Sequence, residues 1–126
     1  NHSPYMDGLH FKGRHRTVEM FPLVTFGEWL TPCLMNDPGK GHRVWGELFE
    51  VPHDRLPAMD HLEECHLPDG YRRLTTQIEP EAGGDPFEAF VYLRAPHFVV
   101  DIRSEPVAEY LFDATYVAPR LRTAHR

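Results

Sequence analysis

The sequence predicts an α+β fold of short strands and short helices, on three observations. Twelve prolines and nine glycines in 126 residues favour many short elements joined by tight turns over a helical bundle. Several stretches alternate apolar and polar residues with the period of a β-strand, while one short stretch near the middle has apolar residues at helical spacing. The chain is 41% hydrophobic, which is enough for one domain with a single core.

The first third of the chain is expected to hold one short helix and two strands. Ser3 followed by a proline is typical of a helix start and predicts a helix over Pro4–His10. Strands are predicted over Arg14–Met20 and Pro22–Phe26, where apolar residues alternate with polar ones. The sequence Asp37-Pro38-Gly39 then indicates a turn.

A further strand is predicted over Arg43–Val51. Because both of its faces are largely apolar, we expect it to lie inside a sheet covered on both sides or in a closed barrel. Gly46 would let another backbone approach closely. Glu47 lies on the same face as Trp45, so it is either a buried acid or, as we favour, the partner of an arginine across the sheet.

A short amphipathic helix follows this strand. Asp54 is expected to cap it, because its carboxylate can accept from the free amides of the first turn. Pro57 falls within that turn, where a missing N–H costs little. Leu56, Met59 and Glu63 lie at positions i, i+3 and i+7 and therefore share one face. The spacing predicts that Glu63 is drawn towards the core together with two apolar residues.

An acid on a buried helix face is a candidate general acid/base. Burial disfavours the charged carboxylate and raises its pKa, and a carboxyl near neutrality can accept a proton and return it. Asp60, four residues after Leu56, is a second candidate by the same geometry. The alternative is that Glu63 is a solvated acid at the end of the helix, since perturbed acids mark active sites only in a fraction of cases.

The last third of the chain is expected to begin with a β-hairpin. Strands over Tyr71–Glu79 and Phe87–Arg94 are joined by a connector that contains Gly83-Gly84-Asp85. A serine at a helix start and apolar residues at helical spacing predict a short helix over Ser104–Asp113. The arginine-containing segment Tyr116–Arg126 is expected to lie on the surface as a tail.

Composition argues against several function classes. The net charge of −6 and the lack of a long basic run argue against nucleic acid as the main partner. No apolar run is long enough to span a membrane, and none resembles a secretory signal. Cys33 and Cys65 could form one disulfide, but reduced thiols in a cytoplasmic protein are the favoured interpretation.

Two other kinds of site are weaker alternatives. His53, His61, Cys65 and His66 lie close in sequence, but a zinc site typically has two tight ligand pairs and only one is visible here. We therefore expect surface histidines and no metal. Nucleophilic catalysis is not indicated, because the sequence lacks G-x-S-x-G and Cys65 with a nearby histidine lacks an evident third group.

Several spaced motifs resemble a known family. GELFEV, LPAMDHLEEC, the strand start at Tyr71–Arg73 and FVY occur in this order and are similar to the γ-glutamylcyclotransferase-like family. The run Arg16–Arg94 resembles its AIG2-like branch, the γ-glutamylaminecyclotransferases. Within that run, RTVEMFPLVTFGEW matches the branch's pattern RT-x-x-x-(Y/F)-PLV-x-x-GE.

The resemblance implies a fold, a reaction and two site residues. The family fold is a small mixed β-barrel flanked by short helices. Members are lyases or acyltransferases that cyclise a γ-glutamyl group to 5-oxoproline and release a free amine, without a metal or organic cofactor. The family's L-D-x-x-E pattern appears here as Met59 to Glu63, which identifies Glu63 as the catalytic acid/base. Tyr71 matches the aromatic of the family's Y-x-R motif and is expected to bind substrate, the alternative being a core tyrosine.

One family motif is not found. A first strand followed by Y-G-(S/T)-L, whose amides hold the substrate, does not occur in residues 1–126. We therefore expect residues 1–126 to form a single domain without this strand and loop, which either precede residue 1 in the full protein or are absent from it. An exposed sheet edge would follow, and with it self-association. The alternative to an enzyme acting on a small γ-glutamyl substrate is a non-catalytic domain of the same family that binds a ligand or a protein.

Overall fold

A computed structural model describes residues 9–110, and two antiparallel sheets form most of this range. In chain order, the elements are β1 (His10–Phe21), β2 (Leu23–Phe26), β3 (Thr31–Leu34), β4 (His42–Glu50), α1 (Leu56–Leu62), β5 (Arg72–Pro80) and β6 (Phe87–Leu93). Short 3-10 helices precede α1 (His53–Arg55) and follow β6 (Pro96–Phe98). The larger sheet has the order β4-β1-β5-β6, and β2 and β3 form the smaller sheet. No helix in this range is long and apolar enough to cross a membrane.

The predicted strands and the central helix are confirmed. The expected strands over 14–20, 22–26 and 43–51 correspond to β1, β2 and β4, and the expected hairpin is β5–β6. The helix has its proline in the first turn, as expected. However, Asp54 does not cap it: it lies inside the preceding 3-10 helix, and no side chain caps α1. The strand β3 was not predicted, because its four residues include Pro32 and show no clear alternation.

Side-chain hydrogen bonds connect the central strands of the larger sheet. The hydroxyl of Thr17 in β1 accepts a 2.8 Å hydrogen bond from the backbone N–H of Val44 in β4. Glu79 in β5 accepts hydrogen bonds from Arg43 of β4 and Arg16 of β1, so one carboxylate joins three strands. These bonds hold the pKa of Glu79 below its usual value. The hydrogen bonds of Thr17 and Glu79 stabilise the strand pairing next to the register shift in β1.

The small sheet and the loops around it hold the main buried cluster. Val24 of β2, Cys33 of β3 and Val99 are almost completely buried, and Phe26, Met35 and Tyr71 pack against them. One contact between the two sheets is an isolated parallel bridge between Met35 and Arg94. This contact brings the end of β6 next to the end of β3, which places Tyr71 beside both sheets.

The expected family fold is present, but the expectation of a closed barrel is wrong for residues 9–110. β4 and β6 are the two edges of the larger sheet, and the contacts that link them through the smaller sheet are isolated bridges rather than continuous ladders. Four strands are too few to close on themselves. β4 is therefore an edge strand, with Glu47 exposed and no atom within 4 Å of a Cβ built on Gly46, contrary to the expectations for both residues.

The predicted helix over Ser104–Asp113 is also wrong in its described part, residues 104–110. Ser104 instead accepts a 2.9 Å hydrogen bond from the backbone N–H of Thr25, and Val107 forms an isolated bridge with Leu23. The segment thus runs alongside β2 and is hydrogen-bonded to it, and tertiary hydrogen bonds override the local helical pattern. The predictions for residues 4–8 and 116–126 lie outside the described residues. The predicted first helix is wrong at its end, because His10 is the first residue of β1.

Candidate active site

The end of α1 and the loop behind it bring Glu63 next to Tyr71. Glu63 is the first residue after the helix, and Glu64 takes a left-handed conformation with φ 61°. The chain then turns back, and the N–H of Tyr71 donates a 3.3 Å hydrogen bond to the carbonyl of Glu63. Gly70 is required for this return, because a Cβ at that position would lie 1.9 Å from the carbonyl oxygen of Glu64. Glu63 and Tyr71, which are eight positions apart in the sequence, are therefore in direct contact.

Arg72 stabilises this loop through hydrogen bonds to its backbone carbonyls. Its guanidinium donates to the carbonyls of Cys65, Leu67 and Pro68 at 3.1–3.2 Å. Multiple bonds from one planar cation to carbonyls of a single loop restrict its conformation. The relative positions of Glu63 and Tyr71 are therefore set by backbone hydrogen bonds and one arginine, rather than by flexible side chains.

Glu63 faces a cleft of about 240 Å³. The wall of the cleft is otherwise apolar or uncharged and consists of Leu23, Thr31, Pro32, Leu34, Tyr71 and Tyr92. Leu56 and Met59 line a different and larger groove, so the expectation that Glu63 shares its surroundings with them is wrong. The expected burial is nonetheless found, because the end of the helix turns the carboxyl into the smaller cleft.

This position changes the acidity of Glu63. The side chain keeps some contact with solvent, but the surrounding wall removes enough water to disfavour its charged form. Burial, with a smaller contribution from the charge of Glu64, raises the pKa of Glu63 from 4.5 to about 7. The carboxyl can therefore exist in both protonation states at neutral pH.

Asp60, the second candidate, is already engaged. One of its carboxylate oxygens accepts a 2.7 Å hydrogen bond from the Tyr92 hydroxyl, and the other lies 3.2 Å from Arg73 Nη1. The guanidinium of Arg73 also lies over the Phe90 ring, 4.8 Å from its centroid. Asp60 is not part of the cleft wall. It joins α1 to β5 and β6, and so supports the position of the helix end.

Tyr71 lies between the cleft and the buried cluster. Its hydroxyl donates a 3.2 Å hydrogen bond to the carbonyl of Pro32. Burial raises the pKa of Tyr71 well above its usual value, so the phenol remains protonated near neutral pH. The neighbouring Cys33 thiol is also buried, and burial raises its pKa. Cys33 is consequently a poor nucleophile at this site.

Sequence reasoning did not identify most of the cleft wall. Tyr92 belongs to the FVY motif that was noted, but nothing local indicates that its hydroxyl reaches Asp60. Leu23, Thr31 and Pro32 come from β2 and β3, far from Glu63 in the chain. The histidine-rich segment forms no metal site in the described range, where no three His, Cys, Asp or Glu side chains converge. The rings of His61 and His66 are instead stacked, with centroids 4.3 Å apart.

Comparisons with known proteins agree with this architecture. The family model "Gamma-glutamyl cyclotransferase, AIG2-like" matches residues 1–112. A gamma-glutamylaminecyclotransferase from Bos taurus is 43% identical over 101 residues, which cover 77% of this chain and 59% of that protein. The chain thus spans about three fifths of this relative's length. The Mus musculus protein of the same name is 42% identical over 107 residues, covering 77% and 70%.

Solved structures are similar as well. The crystal structure of an AIG2-like protein from Mus musculus superimposes with a TM-score of 0.65 at 38% identity, covering 79% of this chain and 69% of the other. A solution NMR structure of A2LD1 superimposes with a TM-score of 0.63 at 35% identity and covers 94% of this chain and 80% of the other.

Proposed function

The chain belongs to the gamma-glutamyl cyclotransferase, AIG2-like family, and we propose that it releases 5-oxoproline and a free amine from a γ-glutamyl-amine or γ-glutamyl-amino acid. The reaction is an intramolecular aminolysis, in the lyase or acyltransferase class. The single observation that carries the proposal is the raised pKa of Glu63, about 7, in a cleft where no other described residue of the wall carries a carboxyl. We place the reaction in the cytoplasm, in keeping with two free thiols.

In the proposed mechanism, Glu63 transfers two protons from the α-amine to the leaving amine. The substrate's α-amine is mostly protonated at neutral pH, so ionised Glu63 first removes a proton from it. The amine nitrogen then forms a bond to the γ-carbonyl carbon, and Glu63 gives its proton to the leaving nitrogen as the bond from that carbon to the leaving nitrogen breaks. Glu63 finally takes the second proton from the new ring nitrogen and passes it to the released amine, which leaves as an ammonium ion. Because nucleophile and carbonyl belong to one molecule, positioning supplies much of the acceleration, and the proposal includes no metal or organic cofactor.

Tyr71 is proposed to bind the substrate. Its proton is directed to the Pro32 carbonyl and the Cys33 thiol is a second hydrogen-bond partner, so one lone pair of the hydroxyl oxygen is left to accept from the α-ammonium group. Its backbone hydrogen bond to Glu63 keeps this acceptor near the proposed base. An ammonium held between them would lie within reach of the carboxyl that deprotonates it.

The test is 5-oxoproline release by the wild type and by Glu63→Gln. Glutamine preserves the size of the side chain but cannot shuttle a proton, so we expect kcat to fall by roughly 10²- to 10⁴-fold. Glu19→Gln is the matched control, since Glu19 is exposed on β1 and is not part of the cleft wall. Equal rates for Glu63→Gln and the wild type would contradict the proposal. Saturable substrate binding without turnover by the wild type would instead support a non-catalytic binding domain.

We also propose self-association through the larger sheet. Within residues 9–110, β6 pairs with a strand on one side only, and Phe87 and Phe90 are 41% and 57% exposed. Unpaired edges with apolar side chains favour pairing with another chain. Sedimentation velocity over a range of protein concentrations should detect a concentration-dependent dimer. A constant monomer mass at all concentrations would contradict this proposal.

A further inference from the structure

Arg94 places a positive charge beside Tyr71. It directly follows β6, and its Cζ lies 6.0 Å from the centroid of the Tyr71 ring and 5.3 Å from that of Phe26. Its Nε donates a 2.8 Å hydrogen bond to the carbonyl of Asp69. The backbone N–H of Arg94 also donates to the carbonyl of Leu34 at 3.0 Å. Arg94 is therefore anchored to the loop behind Glu63 and to a strand residue of the cleft wall.

Arg94 has no described carboxylate partner, which distinguishes it from most of the arginines within residues 9–110. Five arginines form ion pairs with described carboxylates: Arg14, Arg16, Arg43, Arg73 and Arg103. Arg72 directs its guanidinium to loop carbonyls. The Nη1 and Nη2 groups of Arg94 donate no hydrogen bond to a residue in the range 9–110. A guanidinium whose two terminal nitrogens are not engaged by any described residue is suited to bind a planar anion.

The proposed substrate brings such an anion. A γ-glutamyl group carries an α-carboxylate next to the α-amine that must approach Glu63. The ionised carboxyl of Glu63 repels that carboxylate, and within residues 9–110 no cation lines the cleft itself. The charge of Arg94 does reach this region: it opposes the effect of burial on the pKa values of Tyr71 and Cys33. It is therefore positioned to offset the repulsion.

We propose that Arg94 binds the α-carboxylate of the γ-glutamyl group, and so restricts the substrates to those that retain this carboxylate. The inference rests on the proposed cyclotransferase function. When the carboxylate is bound to Arg94, the adjacent α-amine faces Tyr71 and Glu63. The γ-carbonyl then occupies the remaining part of the cleft. Arg94 takes no proton and forms no covalent bond. Its role is to bind and orient the substrate.

The experiment compares two substrates that differ only in the carboxylate. One is a γ-glutamyl-amine; the other is the 4-aminobutanoyl amide of the same amine, which cyclises to 2-pyrrolidinone. We expect Arg94→Gln to lower kcat/KM for the first roughly 10- to 100-fold, as for a lost charged hydrogen-bond pair, and to leave the second unchanged. Arg94→Lys should recover part of the loss, since the charge remains but the fork is lost. Arg103→Gln, which removes an exposed pair with Asp101, is the control.

Each outcome decides the proposal. Equal losses on both substrates would show a structural role for Arg94 and overturn the inference, as would unchanged discrimination in Arg94→Gln. If the wild type turns over neither substrate, the cyclotransferase function fails by itself. Binding by calorimetry then tests Arg94 separately, with 5-oxoproline and 2-pyrrolidinone as ligands. Selective binding of 5-oxoproline that is lost in Arg94→Gln supports the inference, and any other binding result overturns it.

Discussion

Replacement of Glu63 by glutamine measures how strongly the fold opposes ionisation of this carboxyl, without any substrate. Its pKa is about 7 in the folded protein against 4.5 ordinarily. Below pH 4.5 the acid is protonated in both folded and unfolded chains, so it costs no stability. As the pH rises through this interval, the unfolded chain ionises first and the folded state loses relative stability. Above pH 7 the full cost is present.

The size of this cost follows from the difference between the two pKa values. At roughly 1.36 kcal/mol per pH unit, the interval from 4.5 to about 7 corresponds to about 3 kcal/mol at most. Glutamine cannot ionise and avoids it. We therefore expect Glu63→Gln to be as stable as the wild type near pH 4.5 or below, and more stable by about 2–3 kcal/mol at pH 8.5.

Urea denaturation at several pH values between 4 and 8.5 is the assay. The free energy of unfolding is compared between wild type, Glu63→Gln and the exposed control Glu19→Gln at each pH, so that other titrating groups cancel. The control should differ from the wild type by a small amount that varies little with pH. If the advantage of Glu63→Gln is the same at pH 4.5 and 8.5, the cleft does not perturb this carboxyl, and the argument for a general acid/base loses its physical basis.

Three further predictions concern the surroundings of this carboxyl. Gly70→Ala should destabilise the fold by more than about 2 kcal/mol, because the new Cβ would collide with the carbonyl oxygen of Glu64. Gly46→Ala is the control and should be nearly neutral, because its Cβ would have no atom within 4 Å. Thermal unfolding of both variants tests this. Glu64→Gln removes the second cause of the raised pKa and should move the acidic limb of the pH–rate profile to lower pH; an unmoved limb would contradict this. Tyr92→Phe deletes the 2.7 Å hydrogen bond to Asp60 and should cost about 1–2 kcal/mol in urea denaturation, with no loss meaning that water replaces the hydroxyl.

The features that local patterns determine were predictable. The strands β1, β4, β5 and β6 and the helix α1 all follow from periodicity and turn residues, and Glu63 was identified both by helical spacing and by a family motif. Even there the reasoning was partly wrong. The carboxyl is buried because the chain turns after Leu62, not because it shares a face with Leu56 and Met59, which line another groove.

The features that depend on distant contacts were not predictable. The apolar faces of β4 indicated a barrel, yet it is an edge strand, because sequence alone does not reveal which neighbour a strand will find. The helical pattern after Ser104 is overridden by hydrogen bonds to β2. The partner of Asp60 comes from β6, and most of the cleft wall comes from β2 and β3. Each of these contacts joins segments that have no common local signal.

The pKa of Glu63 depends on its burial and also on whether a nearby cation pairs with its carboxyl. Two consecutive arginines, Arg72 and Arg73, follow Tyr71, and either would lower the pKa of Glu63 if it paired with that carboxyl. Instead, Arg72 donates to loop carbonyls, and Arg73 pairs with Asp60. No cation is among the causes of the shift at Glu63. By pairing with Arg73, Asp60 engages a nearby cation, and no cation among the described residues acts as a counter-ion of Glu63.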